Sequence, residues 1–263
     1  MRRIRLTVAY DGSPFRGLAE QAGQSTVMGT LRATLEKVVR QPVELVAAGR
    51  TDAGVHGWGQ VISGDVPATV DPSTLARRLN RLCAPAIAVR SAEWASPSFS
   101  ARFDAEWRHY RYDVLNQATP DPLLAPTTWH VIEPLDLAAM RLGCDPLIGE
   151  HDFSSFCRRP KAAAGQPEVS LVRRILSATW SPVEHDRTDG LLRFEIRGTA
   201  FCHQMVRSIV GTLVDVGRGR RRAGDVARII AARTRTAASP PAPPHGLCLW
   251  EVGYPDDLAL VAP

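Results

Sequence analysis

The sequence contains almost no lysine. Only Lys37 and Lys161 are lysines among the 32 basic residues, so the other 30 are arginines, and the formal net charge is +5. Arginine forms planar, bidentate contacts with phosphate and stacks on bases, which suits a nucleic-acid partner. A codon bias toward GC-rich triplets would also enrich arginine, together with alanine, glycine and proline. The charge alone therefore leaves both explanations open.

Several signals of other protein classes are missing. No apolar run approaches the roughly 18 residues that cross a bilayer, and the N-terminus lacks an apolar signal segment. The five cysteines are odd in number and have no CxxC spacing, which argues against a disulfide framework and a zinc site. No glycine-rich stretch ends in the GK[ST] of a phosphate-binding loop. We therefore expect a cytoplasmic protein with no membrane segment and no metal.

The apolar pattern alternates between strand and helix periods. Strands are predicted near residues 3–10, 43–48, 59–66, 86–94, 107–116, 171–183, 190–198 and 247–252. Helices are predicted over 25–39 (with Ser25 as N-cap), 73–82, 135–149, 201–217 and 223–233, and a loop over 158–170. Half-solvated strands favour a mainly antiparallel sheet with helices on one side, an α+β fold. The pattern begins again near residue 105, which predicts two similar lobes, 1–104 and 105–263, with a cleft between them.

The stretch GRTDAGVHG places Asp52 among glycines, two residues after Arg50. Glycines allow a sharp turn that holds side chains outward, and a nearby cation would keep the carboxylate ionised as a nucleophile. The alternative is a common turn in which Asp52 caps the following backbone amides. Residue types alone favour this second interpretation.

Longer stretches of the sequence favour the other interpretation, in which Asp52 is a nucleophile. GRTDAGVHGWGQV resembles the catalytic-aspartate motif of the TruA family of tRNA pseudouridine synthases. The stretches AYDGSPFRG, SFSARFDAEWRHYRYDVLN, IGEHDFSSF, FEIRGTAFCHQMVRSIVGTLVDVG and GLCLWEVGYP resemble further blocks of that family, in the same order. The resemblance covers nearly the whole chain. It implies the pseudouridine-synthase fold and an isomerase that needs no cofactor or metal, acting as a homodimer on positions 38, 39 and 40 of the tRNA anticodon stem-loop.

The resemblance also assigns roles to residues. Asp52 matches the nucleophile, Arg50 an arginine that helps hold the flipped uridine, and Tyr110 the active-site tyrosine. Arg207 matches the basic partner of the catalytic carboxylate, and Leu247 an apolar position in the uracil pocket. Without the resemblance, each has an ordinary explanation: a phosphate contact or ion pair for Arg50, a surface arginine for Arg207 and a core residue for Tyr110 and Leu247.

Other residues leave questions open. Tyr112 lies on the same strand face as Tyr110, so the choice between them depends on the resemblance. His203 and Arg207 are four residues apart in the predicted helix, which would place them on one face, whereas lone histidines such as His56 do not make a metal site. The clusters RRLNR, RRP and RGRRR suit phosphate contacts or a solvated face. Leu18, Ala19 and Met28 depart from the family pattern, which puts substrate contacts in question rather than catalysis.

Two other functions remain to be separated from this one. An RNA-binding protein with the same fold could have lost the chemistry, although the matched Asp52, Tyr110 and Arg207 argue against that. An unrelated hydrolase using Asp52 would need a second carboxylate or metal ligands nearby, and none stands out in the sequence.

Overall fold

The computed structural model describes residues 1–159 and 169–255. The chain divides into two compact units, one formed by Met1–Arg108 with the described residues from Cys248 onward, and the other by His109–Leu247. The predicted division at residue 104 lies near the start of the second unit. The prediction placed the last strand, near residues 247–252, in the second lobe. In the structure, all of this strand except Leu247 belongs to the first unit. Most of the loop predicted over residues 158–170 lies outside the described residues.

The first unit is a sheet covered by two helices. Its elements are β1 (Arg2–Tyr10), α1 (Val27–Val39), β2 (Leu45–Ala47), β3 (His56–Val66), α2 (Pro72–Cys83), β4 (Ile87–Trp94) and all but the first residue of β10 (Leu247–Gly253). The strand order is β4-β1-β3-β10, and β2 pairs with β3. Strand β1 is antiparallel to β3 and β4, and β10 is parallel to β3.

The core of the first unit follows from the alternation in β1. Ile4, Leu6 and Val8 are fully buried on one face of the strand. They form one apolar cluster with Leu31 of α1 and Leu79 of α2. Both helices therefore pack on the same face of this sheet, with their polar sides turned outward.

The second unit is built in the same way. It holds β5 (Trp107–Asn116, whose first two residues cluster with the first unit), β6 (Trp129–Val131), α3 (Leu137–Leu142), β7 (Gly149–Asp152), β8 (Val172–Pro182), β9 (Leu191–Gly198), α4 (Met205–Gly217) and α5 (Asp225–Ala232). The strand order is β5-β9-β8-β7, and β6 lies parallel to β5. Strand β8 is antiparallel to β7 and β9. The predicted α+β class with mainly antiparallel strands is confirmed.

Two predicted helix starts are wrong. Helix α1 begins at Val27, and its N-cap is Thr26 rather than Ser25, because the Thr26 hydroxyl accepts from the Gly29 N–H. Helix α4 begins at Met205 rather than at residue 201, since Gln204 adopts left-handed backbone angles with φ 63°. His203 lies in the turn before α4. The prediction that His203 shares a helix face with Arg207 is therefore wrong.

The region between β5 and β8 departs further from the pattern. The helix predicted over residues 135–149 is confined to Leu137–Leu142 and followed by a 3₁₀ turn, Asp145–Leu147, with a proline in its first turn. The short strands β6 and β7 were not predicted. Three or four residues are too few for an alternating pattern to identify.

Candidate active site

Asp52 occupies the first position of a tight turn between β2 and β3. The turn is closed by the Val55 N–H, which donates to the Asp52 carbonyl at 3.2 Å. Gly54 has φ +77°, a conformation that side-chain-bearing residues rarely adopt, so glycine is required there. Asp52 is half-buried, between a buried Thr51 and an exposed Ala53. The turn thus gives the carboxylate a defined position with partial access to solvent.

The chain segment after β1 holds this turn in place. The Leu18 N–H donates to the Thr51 carbonyl at 3.1 Å, and the hydroxyls of Tyr10 and Thr51 are 2.8 Å apart. A Cβ atom on Gly12 would lie 2.1 Å from the Val55 carbonyl oxygen. The two segments therefore touch backbone to backbone, and the Asp52 turn is packed on one side as tightly as a protein core.

Polar side chains on β3 fix the turn from the other side. Gln60 is 0% exposed and its amide donates to the Gly49 carbonyl at 2.8 Å. The Gly12 N–H lies 3.1 Å from His56 Nδ1, and an Asp11 carboxylate oxygen lies 3.2 Å from the same nitrogen. Burial raises the pKa of Asp11, but hydrogen bonds from Ser13 and the interaction with His56 outweigh it and leave the pKa below its usual value. His56 thus helps to hold the loop after β1.

Arg50 is exposed and forms no hydrogen bond or ion pair within residues 1–159 and 169–255. Arg50 therefore forms no ion pair with Asp52 in the described part of the chain. Its guanidinium remains available to a ligand.

Tyr110 and Tyr112 of β5 have different surroundings. Tyr112 is 0% exposed, its hydroxyl donates to the Pro243 carbonyl at 2.9 Å, and its ring packs against Gly246 and Trp129. Burial raises the pKa of Tyr112 well above its usual value, and the charge of Arg207 opposes this by a smaller amount. The Tyr112 hydroxyl therefore has a structural partner and stays protonated.

Tyr110 lies in an aromatic contact instead. Its ring meets Phe201 edge-on, with centroids 5.0 Å apart and planes at 80°. The Tyr110 residue is 6% exposed. Phe201 comes just before α4, so the segment that leads into the Arg207 helix also orients the Tyr110 ring. Sequence reasoning gave Phe201 no role, although it lies in one of the family-like blocks.

Arg207 is one of only two residues of α4 that are not buried; the other is Asp215. The Arg207 Nε donates to the Ala242 carbonyl at 2.7 Å, and the Ala242 N–H donates back to the Arg207 carbonyl at 2.9 Å. One turn further on, a Cβ on Gly211 would lie 2.1 Å from the Pro240 carbonyl oxygen. The proline-rich segment therefore packs directly on α4 and fixes the Arg207 guanidinium through its Nε.

Leu247 follows this same segment. It is buried at the start of β10, immediately after the 3₁₀ turn Pro244–Gly246. The predicted residues thus form two groups: Arg50 and Asp52 lie in the first unit, and Tyr110, Arg207 and Leu247 in the second. Sequence reasoning missed Tyr10 and Thr51 in the first group; the only signal was the family-like AYDG block at the end of β1.

The three departures from the family pattern lie close to the Asp52 turn. Leu18 and Met28 are buried in the core of the first unit, and the Met28 N–H donates to the Leu18 carbonyl at 3.0 Å. Ala19 is half-buried. Leu18 and Met28 thus serve to pack the segment that supports Thr51.

The described residues offer no metal site and no membrane-spanning helix. Within the described residues, no group of three His, Cys, Asp or Glu side chains is arranged to hold a metal ion, and no helix has the length and apolarity to span a membrane. All five cysteines are free thiols.

Comparison with known proteins decides the family. Residues 144–255 match the family model described as tRNA pseudouridine synthase. The tRNA pseudouridine synthase A of Corynebacterium glutamicum is 40% identical, over 96% of this chain and 89% of that protein. The proteins of the same name from Frankia casuarinae and Geobacter sulfurreducens are 40% and 38% identical, over 99% and 97% of this chain and 92% and 100% of theirs.

The chain belongs to the tRNA pseudouridine synthase A family. It is accordingly an isomerase of tRNA processing, which converts uridine to pseudouridine. The predicted family and enzyme class are confirmed.

Proposed function

We propose that this synthase modifies uridines 38, 39 and 40 of the tRNA anticodon stem-loop, with Asp52 as the nucleophile. The observation that carries the proposal is the Asp52 turn. The turn is part of the GRTDAGVHG motif. Contacts with Tyr10, Gly12 and Leu18 hold it in one position. A nucleophile must be placed within a fraction of an ångström of its target, and a rigid turn provides that placement.

The reaction is an isomerisation, so every bond and proton that is lost is matched by one that is gained. The bond between N1 of uracil and C1′ of ribose breaks, the base turns over, and C5 bonds to C1′. The proton on C5 leaves and N1 gains one, so no electrons are lost and no group is added. Attack of Asp52 on C1′, its addition to C6 of the base, and its assistance to a glycal intermediate all satisfy this balance.

The second unit supplies the groups that contact the base. Tyr110, with its ring held edge-on by Phe201, offers a phenol that can stack on a flipped uracil and take part in moving the C5 proton. Arg207 is oriented by its contact with the Ala242 carbonyl and is proposed to pair with the Asp52 carboxylate. Leu247 is proposed to give the uracil pocket an apolar wall. The commitment of the Tyr112 hydroxyl to Pro243 supports the choice of Tyr110.

Arg50 is proposed to hold the flipped state of the target nucleotide. Extrusion of a base costs on the order of a few kcal/mol, which contacts from the protein must offset. The exposed Arg50 guanidinium, with no partner in the described part of the chain, lies two residues from Asp52 and is available for this contact.

The enzyme is further proposed to act in the cytoplasm as a homodimer in which one tRNA touches both subunits. Two copies double the positive surface, which suits recognition of RNA by shape. Light scattering on the purified protein tests the dimer: it should give twice the chain mass of 28.7 kDa. A mass of a single chain would contradict it.

Mapping of the product tests the site of modification. Unmodified tRNA transcripts with uridine at 38, 39 or 40 are incubated with the protein, and pseudouridine is located by carbodiimide labelling and primer extension. We expect product at these positions and none in transcripts with cytidine there. Product elsewhere in the tRNA would refute the assigned positions while leaving the enzyme class intact.

A further inference from the structure

A groove between α1 and α2 of the first unit has five cationic residues among the eight that line it. It has a volume of about 600 Å³, and its lining includes Lys37, Arg40, Arg77, Arg78 and Arg81 and no acidic residue. All five cationic residues are exposed. We name these five residues and the space between them the helix groove.

The charges of the helix groove are only weakly offset by the protein: hydrogen bonds from Thr74 and Ser73 lower the pKa of Asp71, and the charge of Arg77 adds a smaller effect. None of the five forms an ion pair with a carboxylate among the described residues. Glu36, the acid of α1 closest in sequence to them, is bound to Arg32 at 3.1 Å and to the Val43 N–H at 3.2 Å. Five like charges around one groove repel each other, and a bound polyanion would remove that repulsion.

Interaction with the helix dipole explains the positions of only some of these five cations. Lys37 and Arg81 lie in the last turns of α1 and α2, where a cation interacts favourably with the helix dipole. Arg77 and Arg78 lie in the middle of α2, where this reason is lacking. Arg40 ends α1 with φ 58°, a left-handed conformation that favours glycine or asparagine. Strain at such a position is a reason to look for function there.

The helix groove is separate from the Asp52 turn. The apolar sides of α1 and α2 pack on the sheet, so the five cations lie on the outer side of the helical layer. The Asp52 turn joins β2 to β3 in the sheet layer. A ligand in the helix groove therefore does not occupy the position of the target uridine.

We propose that the helix groove binds consecutive backbone phosphates of the tRNA at a part of the molecule outside the anticodon stem-loop. The inference rests on the proposed function, because the stem-loop is there the part of the tRNA that enters the active site. Guanidinium groups spread over two helices suit a chain of phosphates rather than a single anion. Such contacts set affinity and position without reading sequence.

Binding of full-length tRNA and of an isolated anticodon stem-loop RNA tests this inference. In the variant Arg78→Gln/Arg81→Gln, the Kd for full-length tRNA should rise about tenfold at 0.1 M salt. The slope of log Kd against log salt concentration should fall by about 2, one for each lost phosphate contact. The Kd and turnover of the stem-loop RNA should remain unchanged. The variant Arg78→Lys/Arg81→Lys keeps the charge and should retain most of the affinity.

The control is Arg174→Gln/Arg228→Gln, which removes two exposed arginines of the second unit, of which Arg228 is bound to Asp225. An equal loss of affinity in this control, or an unchanged Kd in Arg78→Gln/Arg81→Gln, would overturn the inference. So would an equal loss for the stem-loop RNA, or binding of inorganic polyphosphate to the groove with tRNA affinity unaffected. Because the Kd values are measured without turnover, the result for binding does not depend on where pseudouridine is formed.

Discussion

The position of Asp52 depends on small residues that touch it from neighbouring segments. Gly12 lies against the Val55 carbonyl and Gly17, with φ +98°, lies against Thr51. A buried hydrogen bond between the hydroxyls of Tyr10 and Thr51 also holds the turn. A change of a single methyl group here would therefore move the carboxylate.

Substitution of Gly12 tests this packing. The new Cβ in Gly12→Ala would lie 2.1 Å from a backbone oxygen, so the Asp52 turn has to shift. We expect a loss of about 1–3 kcal/mol in the free energy of unfolding and a loss of turnover larger than the loss of tRNA affinity. Urea denaturation and single-turnover kinetics measure the two effects. In the control Gly224→Ala, no atom lies within 4 Å of the new Cβ; equal behaviour of both variants would contradict the account.

The two tyrosines of β5 should respond differently to loss of their hydroxyls. Tyr112→Phe leaves the Pro243 carbonyl without its buried donor and should cost about 0.5–1.5 kcal/mol of stability with kcat little changed. Tyr110→Phe keeps the ring and its contact with Phe201 and should lower kcat far more than Tyr112→Phe does. Thermal unfolding and kinetics on the same preparations separate the two. The opposite pattern would assign the active-site role to Tyr112.

At the scale of elements, the ends of the helices carry information that the apolar pattern does not. Thr26, rather than its neighbour Ser25, accepts from Gly29 N–H, and both residues are of a type that caps helices. Packing decides between them, since Thr26 is buried and Ser25 is exposed.

A pair of alanine variants tests the cap of α1. Thr26→Ala should destabilise the protein by about 1 kcal/mol, because the Gly29 N–H loses its acceptor. Ser25→Ala should change the stability by much less. Chemical denaturation measures both, and an equal effect at the two positions would show that Thr26 does not act alone as the cap.

The cap of α2 predicts a dependence on acid. Hydrogen bonds from Thr74 and Ser73 lower the pKa of Asp71 to about 2, from an unperturbed value of 3.8. A lowered pKa means that this cap stabilises the fold fully above pH 4 and that its contribution is lost as the pH falls toward 2. The difference in stability between the parent and Asp71→Ala should therefore be constant from pH 7 to 5 and shrink below pH 4. A difference that is unchanged down to pH 2 would contradict the assigned cap.

Most strands and the longer helices could be predicted from periodicity. The alternation in β1 and the spacing of Leu75 and Leu79 in α2 reflect burial on one face, which a sequence shows directly. The start of α4 could not be predicted, because it depends on the left-handed conformation of Gln204, a residue type that rarely adopts it. The roles of Asp52, Tyr110 and Arg207 came from the family resemblance, since each residue type also has an ordinary structural use.

At the scale of the whole molecule, arginine has two different uses. Some arginines are bound to acids within the fold, such as Arg193 to Asp113 and Arg3 to Asp65. Others, such as Arg50 and the four arginines of the helix groove, form no ion pair with an acid in the described ranges. The net charge of +5 therefore understates the positive surface that is available to a polyanion. An enzyme of tRNA needs that surface for affinity, and the chemistry proposed for this one needs the carboxylate of Asp52.

The variant Asp52→Asn tests that carboxylate most directly. Asparagine keeps the size of the side chain but removes the carboxylate that is proposed to act as the nucleophile. We expect no pseudouridine in tRNA incubated with the variant at concentrations that fully convert the parent's substrate, while its Kd for tRNA and its unfolding temperature remain close to those of the parent. Formation of pseudouridine by Asp52→Asn would contradict the assignment of Asp52 as the nucleophile.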